Sequence, residues 1–419
     1  MGAELSSLLG RVIGSGQLLL VDPSGGQTHF GDGSGRALRI RLADAEVGGE
    51  IAADPALKLG EAYMDGRLVV EEGDIFDLLS LLRRNGIRRV ATPRLKAKGL
   101  LRLLAYQFGA RIPVNRNRRN VAHHYDLDAR LFDLFLDHDW QYSCAYFQPR
   151  GISLDEAQTA KKRHITAKLL LQPGQRVLEV GSGWGGLGMY MAESSGVDVT
   201  GITLSEEQLT VSRNRVAERG LSDRVRFELT DYVDLKGEFD RIVSVGMFEH
   251  VGLANYDRFF KTMARVLKKE GVMVLHYIGR VKPAYSINPW IEKYIFPGGY
   301  LPALSEVLPA IERAGFLVKD IEMLPMHYAW TLKAWRERFV ARWDEAARLY
   351  DERFCRMWEF YLAAMEAAFR HDRLPIIQLQ LARHQDAVPY ARDYIGEAEA
   401  SLKAFEAQRP PLAPVRFRR

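Results

Sequence analysis

The sequence predicts an α/β fold: a Rossmann-like sheet with a helical insertion, preceded by a small N-terminal α+β domain. From Gln175 onwards, short apolar segments alternate with helical segments, which is the pattern of a parallel sheet covered by helices on both faces. The first apolar segment leads into a glycine-rich turn, and a helix follows. The chain has 419 residues, whereas a single core rarely exceeds roughly 250–300 residues. We therefore expect two domains.

The N-terminal part has the pattern of a small mixed domain. Two strand-like stretches, Gln17–Val21 and Ala37–Leu42, are separated by glycine-rich turns. An apolar helical stretch, Asp74–Leu82, comes next. Nothing in this part suggests catalysis, so we assign residues 1–120 to a separate domain without catalytic residues.

Residues 121–400 are predicted to form the larger, sheet-containing domain. A long helical stretch rich in aromatic residues, Ala329 to His371, lies between its last two strands and is predicted to form a lid or a wall. Residues 401–419 are a basic, proline-rich tail that we predict to be disordered. The predicted strands are Arg176–Val180, Val197–Thr203, Val225–Thr230, Arg241–Val245, Val272–Ile278, Phe316–Glu322 and Ile376–Leu381.

Composition narrows the class of protein and its compartment. Hydrophobic residues make up 47% and charged residues 26% of the chain, as in globular proteins. No apolar run reaches the roughly 18–20 residues of a membrane-spanning helix, and the N-terminus does not resemble a signal peptide. The two cysteines, Cys144 and Cys355, cannot form a disulfide framework, which favours a reducing, cytoplasmic compartment.

Positive charge is concentrated in one segment. The net charge is only +5, yet twelve Lys or Arg and no Asp or Glu lie between Leu78 and Tyr125. Such a block suits an anionic partner, either phospholipid headgroups or nucleic acid. A solvated basic surface is the simpler interpretation of this feature taken alone.

The strongest local motif is the glycine turn after the first sheet strand, Gly181-x-Gly183-x-Gly185. Glycines allow a ligand to approach the backbone closely at the end of a strand. With Trp184 inside the turn, the spacing looks like the shorter glycine motif of S-adenosylmethionine methyltransferases. An ordinary tight turn or a nucleotide site remains open on this motif alone.

The next two strands also end in polar residues that are candidates for ligand contacts. Thr203 ends the second strand, and Ser205 with Gln208 fits a helix capping box. That structural interpretation is compatible with ligand contacts from Thr203 and Gln208. Asp231 and Tyr232 follow the third strand, where a polar group and an aromatic ring can contact adenine.

Polar residues continue at the ends of the fourth and fifth strands, where Glu249 and His276 lie. Ligands of open parallel sheets bind beyond the carboxyl ends of the strands. Together with Glu179, Thr203 and Asp231, these residues predict a cofactor crevice at that edge. A histidine in an apolar strand is often a core residue, so His276 also has a purely structural interpretation. The absence of a Cys/His cluster with zinc spacing predicts no metal.

These segments together resemble the cyclopropane fatty acid synthases, including the mycolic acid cyclopropane synthases. The resemblance extends from about His123 to about Arg383. The longest segments that show this resemblance are Phe239–Gly252 and the run Asn288-Pro-Trp-Ile-Glu-Lys-Tyr-Ile-Phe-Pro-Gly298. The others are Tyr142-Ser-Cys-Ala-Tyr146, Val177–Gly186, Gly201–Gln208, His276-Tyr-Ile-Gly279 and Tyr328.

The resemblance implies the sheet of a class I methyltransferase and a reaction at an alkene. In this family the alkene of an acyl chain takes the methyl group of S-adenosylmethionine, a carbocation forms, and a base removes a proton so that a cyclopropane ring closes. Bound bicarbonate is the implied base, and the implied residues of its site are Cys144, Glu249, His276, Ile278 and Tyr328, with Cys144 and Ile278 contributing mainly backbone groups. The expected cofactor contacts are Tyr142, Ser143, Glu179, Gly181, Ser182, Gly183, Thr203, Gln208, Asp231 and Tyr232.

Cations in such a reaction favour aromatic neighbours, because a ring face attracts positive charge by about 0.5–2 kcal/mol. Core packing is the alternative interpretation of each ring. The candidates are Tyr142, Tyr146, Tyr277, Tyr328 and Trp330.

The resemblance also implies partners and location. The N-terminal region is similar to the lipid-associating domain of the bacterial phospholipid enzymes, so residues 1–120 are expected to associate with lipid. We expect unsaturated phospholipid acyl chains as substrate, a homodimer, and peripheral binding to an anionic surface at the inner face of the membrane. The basic residues expected to contact headgroups are Arg83, Arg84, Arg88, Arg89, Lys96 and Lys98.

The sequence also leaves three other functions to compare with this one. A sister enzyme that alkylates the same double bond but yields a methylene or methyl branch, or a furan fatty acid precursor, can keep the same site residues. A non-catalytic lipid-binding protein would not need the full set of cofactor and anion positions. A nucleic-acid methyltransferase would need a base-recognition motif, which the sequence lacks, so we expect no nucleic-acid partner.

Overall fold

The computed structural model describes residues 2–87, 128–283 and 288–408. The described residues form two compact units. The first unit contains residues 2–87, 288–297 and 332–374, and the second contains residues 128–283, 298–331 and 375–408. The helical insertion from Leu332 onwards therefore belongs to the same unit as the N-terminal residues. The division into domains 1–120 and 121–400 stays a prediction.

Strands and helices are numbered here in chain order over the described residues. The strands are β1 (Gln17–Val21), β2 (Gln27–Gly31), β3 (Arg39–Leu42), β4 (Leu68–Glu72), β5 (Arg176–Val180), β6 (Asp198–Thr203), β7 (Val225–Leu229), β8 (Phe239–Val245), β9 (Leu267–Ile278), β10 (Leu317–Leu324) and β11 (Ile376–Ala382). The helices are α1 (Gly2–Val12), α2 (Val47–Ala53), α3 (Pro55–Met64), α4 (Ile75–Arg84), α5 (Ala129–Asp133), α6 (Leu154–Leu169), α7 (Gly186–Ser195), α8 (Glu206–Glu218), α9 (Tyr256–Val266), α10 (Pro289–Tyr294), α11 (Leu304–Arg313), α12 (His327–Ala341), α13 (Trp343–Leu349), α14 (Glu352–His371) and α15 (Asp393–Ala407).

The first unit combines a four-stranded sheet with helices, as predicted for an α+β domain. The strand order is β2-β1-β3-β4. Helix α4 begins with a capping box, in which Asp74 accepts from the Asp77 N–H and Asp77 accepts from the Asp74 N–H. The apolar face of α4 is buried against α14. Helix α3 is also joined to α14, because Tyr63 donates a 2.6 Å hydrogen bond to Glu359. The buried residues of α4 are Ile75, Leu78, Leu79, Leu81 and Leu82.

The second unit is built on a seven-stranded sheet in the order β10-β11-β9-β8-β5-β6-β7. The pairs from β9 through β7 are parallel, while β11 runs antiparallel to both β9 and β10. The chain leaves β5 towards β6 on one side and later returns to β8 on the other. This reversal of strand order opens a crevice at the carboxyl ends of β5 and β8, where ligands of such sheets bind.

All seven predicted sheet strands are present, with shifts at their ends. Strand β9 begins at Leu267, five residues before the predicted start at Val272. The strand begins with a stretch that contains the exposed residues Lys268, Lys269 and Glu270. The pattern of apolar residues in the sequence therefore predicted only the buried part of this strand.

The C-terminal helix α15 extends into the region predicted to be disordered. Leu402 is buried against Ala167 of α6, together with Ile395. Burial of these apolar side chains stabilises the helix to Ala407. The prediction of disorder is therefore wrong for residues 401–407, and residues 409–419 lie outside the described part.

The predicted headgroup contacts fall mostly outside the described residues, with two exceptions on α4. Arg83 is largely buried and forms an ion pair with Asp372, which argues against its expected headgroup contact. Arg84 is exposed. Over the described residues, no helix combines the length and apolar character that a membrane crossing requires.

Candidate functional site

A cavity of about 1230 Å³, including its open mouth, lies at the carboxyl ends of β5, β6, β7 and β8. The crevice predicted from the strand order is therefore an open space in the second unit. Every residue expected to contact the cofactor lines it. These residues are Tyr142, Ser143, Glu179, Gly181, Ser182, Gly183, Thr203, Gln208, Asp231 and Tyr232.

The glycine turn forms the floor of this cavity. Gly181 and Gly183 have φ angles of +83° and +53°, in the left-handed region that favours glycine. A Cβ added at Gly181 would lie 2.8 Å from Met247 Cβ. The N–H groups of Gly181 and Ser182 both donate to the Ile202 carbonyl at 2.9 Å. The turn is thus fixed to β6, and a side chain at Gly181 has no room.

The end of β6 combines capping and cavity lining. Ser205 Oγ accepts from the Gln208 N–H at 3.2 Å, which confirms the predicted N-cap of α8. The reciprocal bond of a capping box is not made, because Gln208 Oε1 accepts a 2.8 Å hydrogen bond from Thr203 Oγ1 instead. The two side chains predicted as ligand contacts therefore hold each other in place beside the cavity.

At the end of β7, Asp231 and Tyr232 lie at the start of a short 3₁₀ turn. Asp231 Oδ1 accepts from the Val233 N–H at 3.1 Å. The Tyr232 ring packs edge-on against Phe259, with 5.3 Å between centroids. Both residues are therefore held rigidly at the cavity wall.

Two ionisable side chains buried in the cavity wall have shifted pKa values. Burial raises the pKa of Glu179 to about 8, and Glu179 Oε2 has no hydrogen-bond partner among the described residues. Burial lowers the pKa of Lys161 to about 8. Lys161 Nζ donates to Ser143 Oγ at 2.9 Å and to Gln141 Oε1. The cavity wall therefore contains a buried amine and a carboxyl oxygen without a partner among the described residues, which suits a ligand with polar and charged groups.

Lys161 is a cavity residue that sequence reasoning missed. It lies in the run Lys161-Lys162-Arg163 of α6, which reads as an exposed basic helix face. Both lysines can be buried because their ammonium groups have partners. Lys161 donates to Gln141 and Ser143, and Lys162 forms an ion pair with the buried Asp139 at 2.5 Å. Other lining residues outside the prediction include Trp140, Gln141, Met247, His250 and Asn255.

Glu249 and His276 lie at the ends of the adjacent strands β8 and β9. Glu249 Oε1 accepts a 2.7 Å hydrogen bond from the Ile278 N–H. Its other oxygen, Oε2, and His276 Nε2 are buried and have no partner among the described residues. Buried polar atoms are normally satisfied, so these two atoms indicate a polar ligand.

The protonation states at these strand ends follow from burial. Burial raises the pKa of Glu249 to about 7, and the Ile278 N–H partly offsets that rise. Burial lowers the pKa of His276 to about 3, so its imidazole is neutral at physiological pH. At neutral pH a substantial fraction of Glu249 carries a proton. This lowers the electrostatic repulsion between Glu249 and a bound anion.

Of the remaining residues of the expected anion site, Cys144 and Tyr328 are buried in the second unit and Ile278 is half-buried. Cys144 Sγ donates to the Ala145 carbonyl at 3.3 Å, and burial raises the pKa of this thiol. Ala145 N–H donates to Thr331 Oγ1 at 3.0 Å. Tyr328 is buried near the start of α12. None of the five expected anion-site residues lines the cavity, although Ser143 and His250, which adjoin Cys144 and Glu249 in the sequence, do.

Several aromatic candidates for cation binding already contact other side chains of the second unit. Tyr146 is stacked between His164, at 4.2 Å, and His327, at 5.1 Å. Arg150 lies over the Trp330 ring at 5.3 Å, and Tyr277 packs against Phe248. These three rings therefore already have partners within the second unit. Tyr142 lines the cavity and packs edge-on against Phe132.

Comparison with known proteins decides the family. The family model described as mycolic acid cyclopropane synthetase matches residues 113–379. Cyclopropane-fatty-acyl-phospholipid synthase of Escherichia coli K12 is 41% identical over 348 residues, which cover 82% of this chain and 87% of the relative. This chain belongs to the cyclopropane fatty acid synthase family. It is an S-adenosylmethionine-dependent methyltransferase.

Other relatives support this membership. Tuberculostearic acid methyltransferase UfaA1 of Mycobacterium tuberculosis is 40% identical over 279 residues, covering 64% of this chain and 65% of the relative. Among solved structures, mycolic acid cyclopropane synthase CmaA1 complexed with SAH and CTAB is 36% identical, with a TM-score of 0.60, covering 63% of this chain and 97% of that chain. The predicted class I methyltransferase fold is therefore confirmed for this member of the cyclopropane fatty acid synthase family.

Proposed function

We propose that this family member is a cyclopropane-fatty-acyl-phospholipid synthase that acts on the cis double bond of unsaturated phospholipid acyl chains. The observation that carries the proposal is the presence of two unpartnered buried atoms, Glu249 Oε2 and His276 Nε2, in the same unit as a cavity lined by all the expected cofactor residues. Simple methyl transfer to an alkene leaves a positive charge, and a proton must leave before a ring can close. An anion held at Glu249 and His276 would meet that need.

The cavity residues have the task of holding the cofactor. S-adenosylmethionine, when bound, supplies an electrophilic methyl group on a sulfonium. Gly181 and Gly183 leave space for close backbone approach, and Asp231 with Tyr232 offers a carboxylate and a ring at the adenine end. Glu179 and Lys161 place ionisable groups at the wall of the same cavity.

The strand-end residues have the task of holding the base. Bicarbonate, when bound, supplies a weak base that can accept the proton lost from the transferred carbon. A protonated Glu249 donates from Oε2, while the Ile278 N–H fixes its other oxygen at 2.7 Å. A neutral His276 adds a second polar contact, and we place Cys144, Ile278 and Tyr328 at the same site.

The test is mass spectrometry of the acyl chains after incubation of the purified protein with S-adenosylmethionine and liposomes of mono-unsaturated phospholipid. We expect a gain of one methylene with loss of the double bond. Retention of an exocyclic or shifted double bond would contradict cyclopropanation and favour the sister methyltransferase. That second candidate is kept because UfaA1, a relative at 40% identity, is named a tuberculostearic acid methyltransferase. No mass gain would contradict both.

We further propose that the enzyme is a homodimer that binds the inner face of the membrane peripherally through its basic block. Replacement of Arg84, Arg88, Arg89, Lys96 and Lys98 by glutamate is expected to abolish pelleting with anionic liposomes. Each basic residue near an anionic surface contributes about 1 kcal/mol. The matched control is Arg83→Glu, which breaks the ion pair with Asp372 and should lower stability more than lipid binding. Unchanged pelleting of the multiple variant would contradict the membrane proposal.

A further inference from the structure

The second ring nitrogen of His276 has a partner on the neighbouring strand. Gln378 lies directly opposite His276 in the antiparallel pair of β9 and β11. Gln378 Nε2 is 3.1 Å from His276 Nδ1, and both side chains are buried. The orientation of the Gln378 amide therefore bears directly on the proton position in the imidazole.

Lys168 fixes that orientation. Lys168 Nζ lies 2.9 Å from Gln378 Oε1. An ammonium group only donates hydrogen bonds, so the atom of Gln378 that faces it must be the carbonyl oxygen. Lys168 is itself held by an ion pair with Glu322 and by Asp320 Oδ2 at 3.5 Å. The amide NH₂ of Gln378 is thereby directed at His276.

The proton on His276 follows from this arrangement. Because the Gln378 NH₂ donates, His276 Nδ1 must accept, and a neutral imidazole then carries its proton on Nε2. A doubly protonated ring would set two donors against each other, and the low pKa that burial gives His276 agrees with a neutral ring. His276 Nε2 is the buried atom that lacks a partner among the described residues.

We infer that Gln378, oriented by Lys168, is a positioning residue that holds His276 in the Nε2–H tautomer, so that the imidazole donates a hydrogen bond to the anion. The opposite tautomer would present a lone pair to an anionic oxygen and repel it. The link to the anion rests on the proposed function, whereas the tautomer itself is a property of the protein alone.

The decisive variant is Gln378→Glu, which keeps the shape of the side chain and its contact with Lys168. A carboxylate only accepts, so His276 must then carry a proton on Nδ1, and a neutral ring turns its Nε2 lone pair towards the anion. The matched control is Gln380→Glu on the same strand and face. Gln380 is equally buried but donates to the Lys168 carbonyl at 2.6 Å rather than to His276.

The first measurement is nitrogen NMR of the full chain labelled with ¹⁵N-histidine, at a pH of about 8.5, above the ordinary histidine pKa. The signal of His276 is identified by its loss in His276→Asn. We expect the Nε2–H pattern in the native protein and in Gln380→Glu, and the Nδ1–H pattern in Gln378→Glu. An Nδ1–H pattern in the native protein, or an unchanged pattern in Gln378→Glu, would overturn the inference.

The second measurement is the rise in melting temperature caused by sodium bicarbonate in the presence of S-adenosylhomocysteine, against sodium chloride at equal ionic strength. Gln378→Glu is expected to need at least tenfold more bicarbonate for half the effect, and Gln380→Glu the same amount as the native protein. Unchanged or tighter binding in Gln378→Glu would contradict the inference.

The two measurements separate the failure of the inference from that of the proposed function. If bicarbonate stabilises no form of the protein, the proposed anion site is wrong, and the NMR pattern still decides the tautomer. If Gln378→Glu does not fold, Lys168→Met takes its place. In that variant Glu322 keeps His164 as partner and Asp320 keeps Arg392. Without Lys168, the Gln378 amide is free to turn, so we expect the His276 signal to shift towards the Nδ1–H form. An unchanged signal would count against the inference.

Discussion

Replacement of Glu249 by alanine is expected to lower kcat/KM about 10²–10⁴-fold, the range lost when acid–base assistance is removed, with unchanged affinity for S-adenosylmethionine. The side chain is buried, and its Oε1 is fixed by the Ile278 N–H while Oε2 faces no described partner. Alanine removes the donor to the anion without altering the residues that line the cofactor cavity. Rate measurements on liposomes and calorimetric titration with the cofactor check the two parts.

Glu249→Gln separates two roles of this carboxyl group. If a protonated Glu249 donates to the anion, glutamine keeps that donor, because its oxygen can accept from Ile278 and its NH₂ takes the place of Oε2. We therefore expect glutamine to retain much more activity than alanine. Equal loss in both variants would mean that the carboxylate itself removes the proton, which contradicts the proposed role.

The pH profile gives a third outcome for Glu249. Since burial raises its pKa to about 7, the protonated donor form is present below pH 7 and is lost as the pH rises through that value. At constant bicarbonate ion concentration, the native kcat should fall above about pH 7, and Glu249→Gln should not show that fall. A rise of the native rate through the same range would contradict the account.

Gly183→Leu is expected to abolish cofactor binding while the protein stays folded. Gly183 lines the cavity, and a Cβ added there meets no atom within 4 Å, so the new side chain projects into open space. The left-handed conformation, with φ of +53°, adds strain of about 1–2 kcal/mol. Calorimetric titration with S-adenosylmethionine measures the loss of affinity, and urea denaturation measures the loss of stability.

Gly174→Leu is the matched control for this strain. Gly174 has φ of +78°, an added Cβ there also meets no atom within 4 Å, and it does not line the cavity. Both variants should therefore lose similar stability, and only Gly183→Leu should lose the cofactor. Native affinity in Gly183→Leu would show that the cofactor does not bind over the glycine turn.

The sheet and its cavity residues were predictable because their signals are local. Buried strands are short apolar segments, and polar residues at their ends share one edge of a parallel sheet. Gly181 and Gly183 mark a turn with positive φ, which other residues rarely adopt. The ends of β9 and α15 were less predictable, since exposed charges hide part of a strand and Leu402 is buried only through its contact with α6.

Lys161 and Gln378 could not be found in the same way. Lys161 lies in a basic run and is buried only because Gln141 and Ser143 accept its hydrogen bonds. Gln378 meets His276 across 102 positions of sequence, through the register of two antiparallel strands. Such pairings depend on the three-dimensional structure, and no spacing in the sequence encodes them.

In the proposed reaction, the transferred carbon loses a proton and closes a ring. The most direct measurement uses S-adenosylmethionine with a fully deuterated methyl group and mono-unsaturated phospholipid liposomes, followed by mass spectrometry and hydrogenation of the product. We expect the acyl chain to gain one carbon that bears only two deuterium atoms and to have no double bond left to hydrogenate. A product that keeps all three deuterium atoms, or that still takes up hydrogen, would contradict it.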